Sequence, residues 1–448
     1  MTQALGGIVG YNKWLMALDL LLIFWFLYGW YNHYRKTGGY IDFWYYNMFL
    51  FFFVPVLIMY PFDNSDLNIL SVLGLNNLYI IQDHSSEAFI VSLTGFSCAY
   101  VGKYLFDKEK PFVLIELMLI PFSNYLGRFY ISIVKNPLIS RGFILSYIVV
   151  LIGFLFFIVS SGLMKNPREF FMLNTKYMPI YILIISTFEI AFIIISIRSL
   201  QFNNNIDKTL FGFLVVFGFF LGVRAPIILQ GISFGVFYIM YKRNGYISLT
   251  KVMTAISVIL FLVMLLAYIR NSTDETSTDP SLVALSFIAE IFYGNTFSDV
   301  RDFSWVLGNW NREYYLGRSY LAAFLSFIPS SLYPIRETWG IGKLTVRAAG
   351  LDETTHPGLR MGVFGEMYLN FGIIGVALFG IIWGYILRRV DYFTKKYTSQ
   401  GNVVKASSVI VYSSFISYLT GSAGTMSFYI IIFLLAALSI LSRMRLDT

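Results

Sequence analysis

Between Phe143 and Gly162 the chain reads FILSYIVVLIGFLFFIVSSG, a run without a single charged side chain. A bilayer core asks for about 20 apolar residues per helix, and within lipid such a run satisfies its backbone hydrogen bonds internally as a helix. Comparable runs recur at about 14–30, 44–61, 87–106, 178–198, 252–269, 361–387, 405–421 and 425–442. The stretch TLFGFLVVFGFFLGVRAPIILQGISFGVFYIMYKR is too long for one helix and carries Gly222, Arg224 and Pro226 at its middle, so it predicts two helices with Arg224 at the apex. The expectation is an all-α, polytopic membrane protein with about 11 transmembrane helices. Composition agrees, because 57% of the residues are apolar and 13% charged, against about a quarter charged in soluble domains.

Orientation follows from where Lys and Arg cluster. His33, Arg35 and Lys36 follow the first span, and Lys103, Lys108 and Lys110 the third. Arg198 with Lys208, Lys242 with Arg243 and Lys251, Arg388 with Arg389, Lys395 and Lys396, and Arg443 with Arg445 continue the series. The loop at 62–86 holds Asp63, Asp66 and Asp83 but no Lys or Arg. These clusters are assigned to the cytoplasm, which puts the N-terminus, Arg224 and the interval 270–360 outside. Lys165, Arg168 and Lys176 run against the pattern. The first span lacks a small-residue cleavage site and reads as a retained helix. PFVLIELMLIPFSNYLGRFYISIVK, with Glu116, Pro121 and Arg128, reads as a kinked helix in the cytoplasmic interface or as a hairpin of short spans. In sequence order the divisions are an N-terminal bundle at 1–269, a large external loop region at 270–360, and C-terminal spans at 361–448. Within the loop region, 281–295 and 318–334 read as amphipathic or re-entrant helices, so that it forms a partly embedded cap.

The external region carries Arg270, Arg301, Arg312, Arg318, Arg336, Lys343, Arg347 and Arg360 among Trp305, Trp310 and Trp339. Arginine grips phosphate bidentately where lysine offers a point charge. Arginines flanking spans also snorkel to lipid headgroups, but the outer surface is where the positive-inside rule calls for few of them. Their number there points to an anionic ligand. The net charge of +8 needs no nucleic-acid partner, because basic residues at helix ends supply it. With Cys98 as the lone cysteine and only His33, His84 and His356, neither a disulfide within the chain nor a zinc site is expected. His356 precedes Pro357, and Glu366 stands just inside the next apolar run, where a carboxylate needs a reason. Each is a candidate general base, His356 by its near-neutral pKa and Glu366 by burial. Asp19 and Glu189 lie within spans and are expected to face the bundle interior, or to relay protons.

GVRAPIIL, GRSYLAAFLSFIPSSLYP and HPGLRMGVFGEMYLNFGIIG together resemble the Wzy family of oligosaccharide repeat-unit polymerases over roughly residues 205–390, with GEMYLNFG the most specific part. The resemblance implies a GT-C-like fold shared with O-antigen ligases and a metal-independent glycosyltransferase, without cofactor, in the bacterial inner membrane. Its substrates would be undecaprenyl-pyrophosphate-linked glycans joined at the periplasmic face, with membrane lipids and a Wzz-type chain-length regulator as partners. Arg224 and Arg318, followed by Arg336 and Arg360, would hold the pyrophosphate, and His356 or Glu366 would take the acceptor proton. An O-antigen ligase and a transporter or flippase of lipid-linked sugars are the alternatives.

Overall fold

A computed structural model describes residues 13–40, 42–49, 78–108, 113–161, 178–218, 224–258, 299–325, 328, 332–352, 358–421 and 427–444. Among them every regular element is a helix and none is a strand. The helices are α1 (Lys13–Lys36), α2 (Phe43–Met48), α3 (Leu78–Asp107), α4 (Val113–Lys135), α5 (Pro137–Ser160), α6 (Met178–Gln201), α7 (Asn205–Gly218) and α8 (Arg224–Arg243). They are followed by α9 (Asp299–Asn309), α10 (Arg318–Phe324), α11 (Ile335–Trp339), α12 (Ile341–Ala348), α13 (Gly362–Ser399), α14 (Val403–Gly421) and α15 (Ser427–Met444). Among the described residues, four helices are long and apolar enough to cross a membrane: Asp83–Asp107 of α3, α5, Leu183–Gln201 of α6, and α13. The chain is a membrane-embedded helical protein.

Local chemistry sets several boundaries. Asn136 caps α5 by accepting from Leu138 N and Ile139 N at 3.1 and 3.3 Å, with Pro137 at the first turn, where its missing N–H costs nothing. The segment around Pro121 is one continuous helix, α4, and not a hairpin. Of the long run expected to divide near Arg224, α7 covers up to Gly218 and α8 from Arg224, and the expected apex at 219–223 lies outside the described residues. In the loop region α10 covers Arg318–Phe324 of the helix expected over 318–334. The helix expected at 281–295 and the loop containing Lys165 lie outside the described residues.

Packing divides the chain into two units that interleave in sequence. One comprises Met1–Pro111, Ile256–Arg389 and Tyr418–Thr425, and the other Phe112–Ala255, Val390–Ser417 and Met426–Thr448. Contacts between distant segments, and not sequence order, set the units. In the second unit α6 is the hub, packed against α5, α7, α8 and α15. There Asp207 is fully buried between Arg141 Nε at 2.7 Å and Arg198 Nη2 at 3.1 Å. A buried carboxylate requires such partners, because leaving it uncompensated costs several kcal/mol, on the order of 3–5.

The first unit is built on α3 and α13, whose backbones touch. A Cβ on Gly102 would collide with Ile381 O, one on Gly384 with Ala99 O, and one on Gly380 with Gly95 O. Gly380 and Gly384 form a small-xxx-small pair, the device that lets membrane helices approach where burial gives no driving force between them. Asp19 is buried in α1, as expected of a charge inside a span.

The expected span at 361–387 is divided. Gly372 has φ 65° and ψ −165°, outside helical space, in the middle of α13. The Phe364 ring lies 6.4 Å from that of Phe379 and 6.0 Å from that of Trp383. In a straight helix those residues would stand roughly 20 Å or more apart. The arm 362–371 therefore folds back along the helix that begins at 373, and Gly372 is the turn. The apolar run continues through the turn, which hides it from a hydropathy reading.

Polar clusters mark the two ends of α3. At one end Glu87 accepts from Tyr368 Oη at 2.9 Å. At the other, Arg388 Nε meets Asp107 at 2.7 Å and Arg388 Nη1 lies 3.5 Å from Asp42, which is also 2.7 Å from His33 Nε2. Burial alone would raise the Asp42 carboxyl, but the hydrogen bond and charge of His33 and the charge of Arg388 outweigh it and hold it below its ordinary range. About 30 Å of helix rise separates Glu87 from Asp107, close to the thickness of a hydrocarbon core.

Candidate functional site

The folded-back arm 362–371 carries GEMYLNFG, and its residues divide by helical face. Glu366 and Asn370 are one turn apart and share a side. Both are buried. Glu366 Oε1 accepts from Ser319 Oγ at 2.7 Å, while Asn370 Nδ2 donates to Ser319 Oγ and to Glu366 O, both at 2.9 Å. Asn370 Oδ1 accepts from Gly317 N at 3.0 Å. The last carbonyls of a helix lack partners within it. Here Leu369 O and Asn370 O receive Tyr315 N at 2.9 Å and Leu316 N at 3.0 Å. The chain can present those donors because Leu316 and Gly317 turn through the left-handed region, with φ 49° and 84°. At Gly317 this is natural, since glycine has no Cβ to clash.

Gly317 leads directly into α10, whose first residue is Arg318. Its guanidinium carbon sits 5.7 Å from the centre of the Trp339 ring, a cation–π contact that holds the fork on α11. Tyr320 stacks on Phe371 at 6.3 Å. Its buried hydroxyl has no hydrogen-bond partner among the described residues, and burial, reinforced by the charge of Glu366, pushes its pKa up. A carboxylate, a hydroxyl and an amide are thus joined at the start of the helix that Arg318 opens.

The opposite face of the arm bears Tyr368. With Arg312, which gives Glu87 two hydrogen bonds at 2.5 and 2.9 Å, it fixes that carboxylate, and His84 Nδ1 lies 3.7 Å away. The hydrogen bond from Arg312 to Glu87 raises the guanidinium pKa against the opposing effect of burial. Arg312 also lies over the Trp310 ring at 5.5 Å. Arg312 has φ 65°, a strain of roughly 1–3 kcal/mol for a residue with a side chain. Its ion pair is bidentate and half-buried, with side chains 46% and 25% exposed.

At the start of the arm, α9 packs close: Gly365 lies against the Phe303 ring and Gly362 against Asp299. Arg301 Nη2 pairs with Asp302 at 2.7 Å, and Asp302 Oδ2 accepts from Arg360 N at 3.2 Å. Burial pushes the Asp299 carboxyl up to about 6, with Arg360 and Arg301 opposing and Asp302 adding to the rise.

Of the residues singled out in the sequence, the structure joins Glu366 to the helix opened by Arg318. Arg360 is exposed and belongs to the Asp299–Asp302 cluster. Arg336 lies on α11, the helix of Trp339, but its side chain is outside the described residues, as is that of Arg224 at the start of α8. His356 is outside them altogether. Arg224 belongs to the second unit and the rest to the first. Sequence reading missed Ser319, Asn370, Tyr320 and the Glu87–Tyr368 contact. The i, i+4 spacing of Glu366 and Asn370 was the one available signal. Among the described residues no group of three or more His, Cys, Asp or Glu is placed to hold a metal ion. Compared with family models, curated proteins and solved structures, the chain finds no match.

Proposed function

We propose that the chain is a Wzy-type polymerase of undecaprenyl-pyrophosphate-linked repeat units, a GT-C-like glycosyltransferase with about 11 spans in the bacterial inner membrane and a site facing the periplasm. The observation that carries this reading is Glu366, buried in an apolar helix yet held by Ser319 beside Arg318. Evolutionary cost aside, a carboxylate there is disfavoured by the medium and is kept for chemistry or for positioning. In the proposed reaction the acceptor hydroxyl oxygen attacks the anomeric carbon of the donor sugar. The bond from that carbon to the pyrophosphate oxygen breaks, and its electron pair leaves with undecaprenyl pyrophosphate. The acceptor proton passes to His356 or to Glu366. Arg318, with Arg336 and Arg360, stabilises the charge gathering on the leaving group, a task fixed guanidinium groups perform without a metal.

The test is turnover of the purified protein with synthetic undecaprenyl-pyrophosphate repeat units in EDTA. Arg318→Ala and Glu366→Gln are expected to lose about a hundredfold in rate, roughly 3 kcal/mol of transition-state stabilisation. His356→Ala loses as much if the imidazole is the base. Wild-type rates in both Arg318→Ala and Glu366→Gln would refute the site, and loss of turnover in EDTA would refute the metal-free mechanism.

The reversal at Gly372 favours one rival, a transporter of the same lipids, because broken helices line transporter sites. Here, however, the carbonyls next to the break already accept from Tyr315 and Leu316. Movement of fluorescent lipid-linked oligosaccharide across proteoliposomes without chain growth would decide for the transporter.

A further inference from the structure

The cluster on the other face of the arm has no part in that reaction. Tyr314 is the unusual member. Its ring is held edge-on by Trp310 at 5.5 Å and by Tyr368 at 6.5 Å, and it lies against Gly372. Even so, the residue remains 44% exposed. Trp310 is fixed in turn by its own Nε1, which donates to Glu313 O at 3.0 Å. The result is an aromatic face clamped on several sides and open on another. Beside it stand the Glu87 carboxylate, the Tyr368 hydroxyl, and a guanidinium that spends only Nη1 and Nη2 contacts on Glu87.

We propose that Tyr314, with Glu87 and Arg312, forms a saccharide-binding subsite, in which the tyrosine face packs on the apolar side of a pyranose while the two charged groups hydrogen-bond its hydroxyls. A pyranose presents polarised C–H groups on one side, which suit the negative face of a ring. Its hydroxyls both donate and accept, matching an arginine fork next to a carboxylate. A clamped ring loses little freedom on binding, so the contact is pre-organised. The subsite deepens the polymerase reading by giving the glycan, and not only its pyrophosphate, a place on the arm's second face.

The experiment uses the full chain in nanodiscs of phosphatidylethanolamine and phosphatidylglycerol. Saturation-transfer NMR is recorded with the methyl glycosides of glucose, galactose, N-acetylglucosamine and rhamnose. At least one is expected to receive saturation chiefly on the ring C–H protons of a single face. Tyr314→Ala should weaken that ligand about tenfold, and Tyr314→Phe, which keeps the ring, by less than about twofold. Absence of transfer to every sugar in the wild-type protein overturns the proposal, as does equal binding by Tyr314→Ala. Because binding is read without turnover, the two readings fail separately. Sugar binding that depends on Tyr314 in a protein that makes no polymer keeps the subsite and removes the polymerase. Polymerisation indifferent to Tyr314→Ala removes the subsite and keeps the polymerase.

Discussion

Replacing Asn370 with alanine tests whether the folded-back arm is held by its polar network or by apolar packing alone. The side chain is fully buried and makes three hydrogen bonds, to Gly317 N, Ser319 Oγ and Glu366 O. Its amide orientation is fixed by chemistry, because an oxygen must face the Gly317 N–H and a nitrogen the Glu366 carbonyl. Each bond contributes about 1 kcal/mol net, and the stranded Gly317 N–H adds about 1–3 kcal/mol. Asn370→Ala is therefore expected to cost roughly 4–6 kcal/mol. Asn370→Asp separates shape from bonding: it has the same size but turns the donor to Glu366 O into an acceptor. At neutral pH it should be at least as destabilising as alanine, and it should recover as acid restores a proton to donate. The assay is unfolding in mixed micelles titrated with dodecyl sulfate, followed by tryptophan fluorescence. An alanine variant within about 1 kcal/mol of wild type, or an aspartate variant equal to wild type at neutral pH, would refute the reasoning.

Gly384→Val, and equally Gly102→Val, places side-chain atoms where the facing helix has backbone carbonyls, so both should fail to yield a monodisperse protein on detergent gel filtration. A nearby exposed change, Leu378→Ala, should elute as wild type. Asp299 supplies a pH signature. Its folded pKa of about 6 exceeds the unfolded value of about 3.9, so the folded state holds the proton more tightly. The stability it contributes is complete below about pH 4 and is lost as pH rises towards 6. Asp299→Asn should flatten the fall in melting temperature between those values and stabilise the protein at pH 7 by roughly 1–3 kcal/mol. Parallel pH profiles for the two proteins would contradict the burial of that carboxyl.

The helical class and apolar runs such as 143–162 could be read from the sequence because lipid permits few backbone solutions. Glu366 was visible for the same reason, as a charge in the wrong medium. Gly372 was not, because the residues on both sides are apolar and a reversal within a membrane leaves no polar loop to mark it. Ser319 and Asn370 are neutral and unremarkable in composition, and only the fold brings Ser319 onto the arm. Gly380 and Gly384 stood in plain view as GIIWG, yet glycine spacing gains meaning only once the facing row of Gly95, Ala99 and Gly102 is known. Arg312 was read as one more external cation. Its backbone conformation, which sets it apart, has no signature in residue type.

The direction of protein synthesis gives the folded-back arm a further meaning. The polar groups that grip 362–371, Glu87 on α3 and Tyr315, Leu316, Gly317 and Ser319 leading into α10, precede it in the chain, as does Phe303 on α9. When the arm leaves the ribosome its sockets already exist, whereas the helix after Gly372 has not been made. The arm can dock first, and the turn then delivers 373–389 onto the waiting glycine row of α3 as the next segment emerges. The seating of Gly380 and Gly384 thus follows the docking of the arm. A nascent chain stalled before Gly372 would carry a formed site without the helix that closes its back.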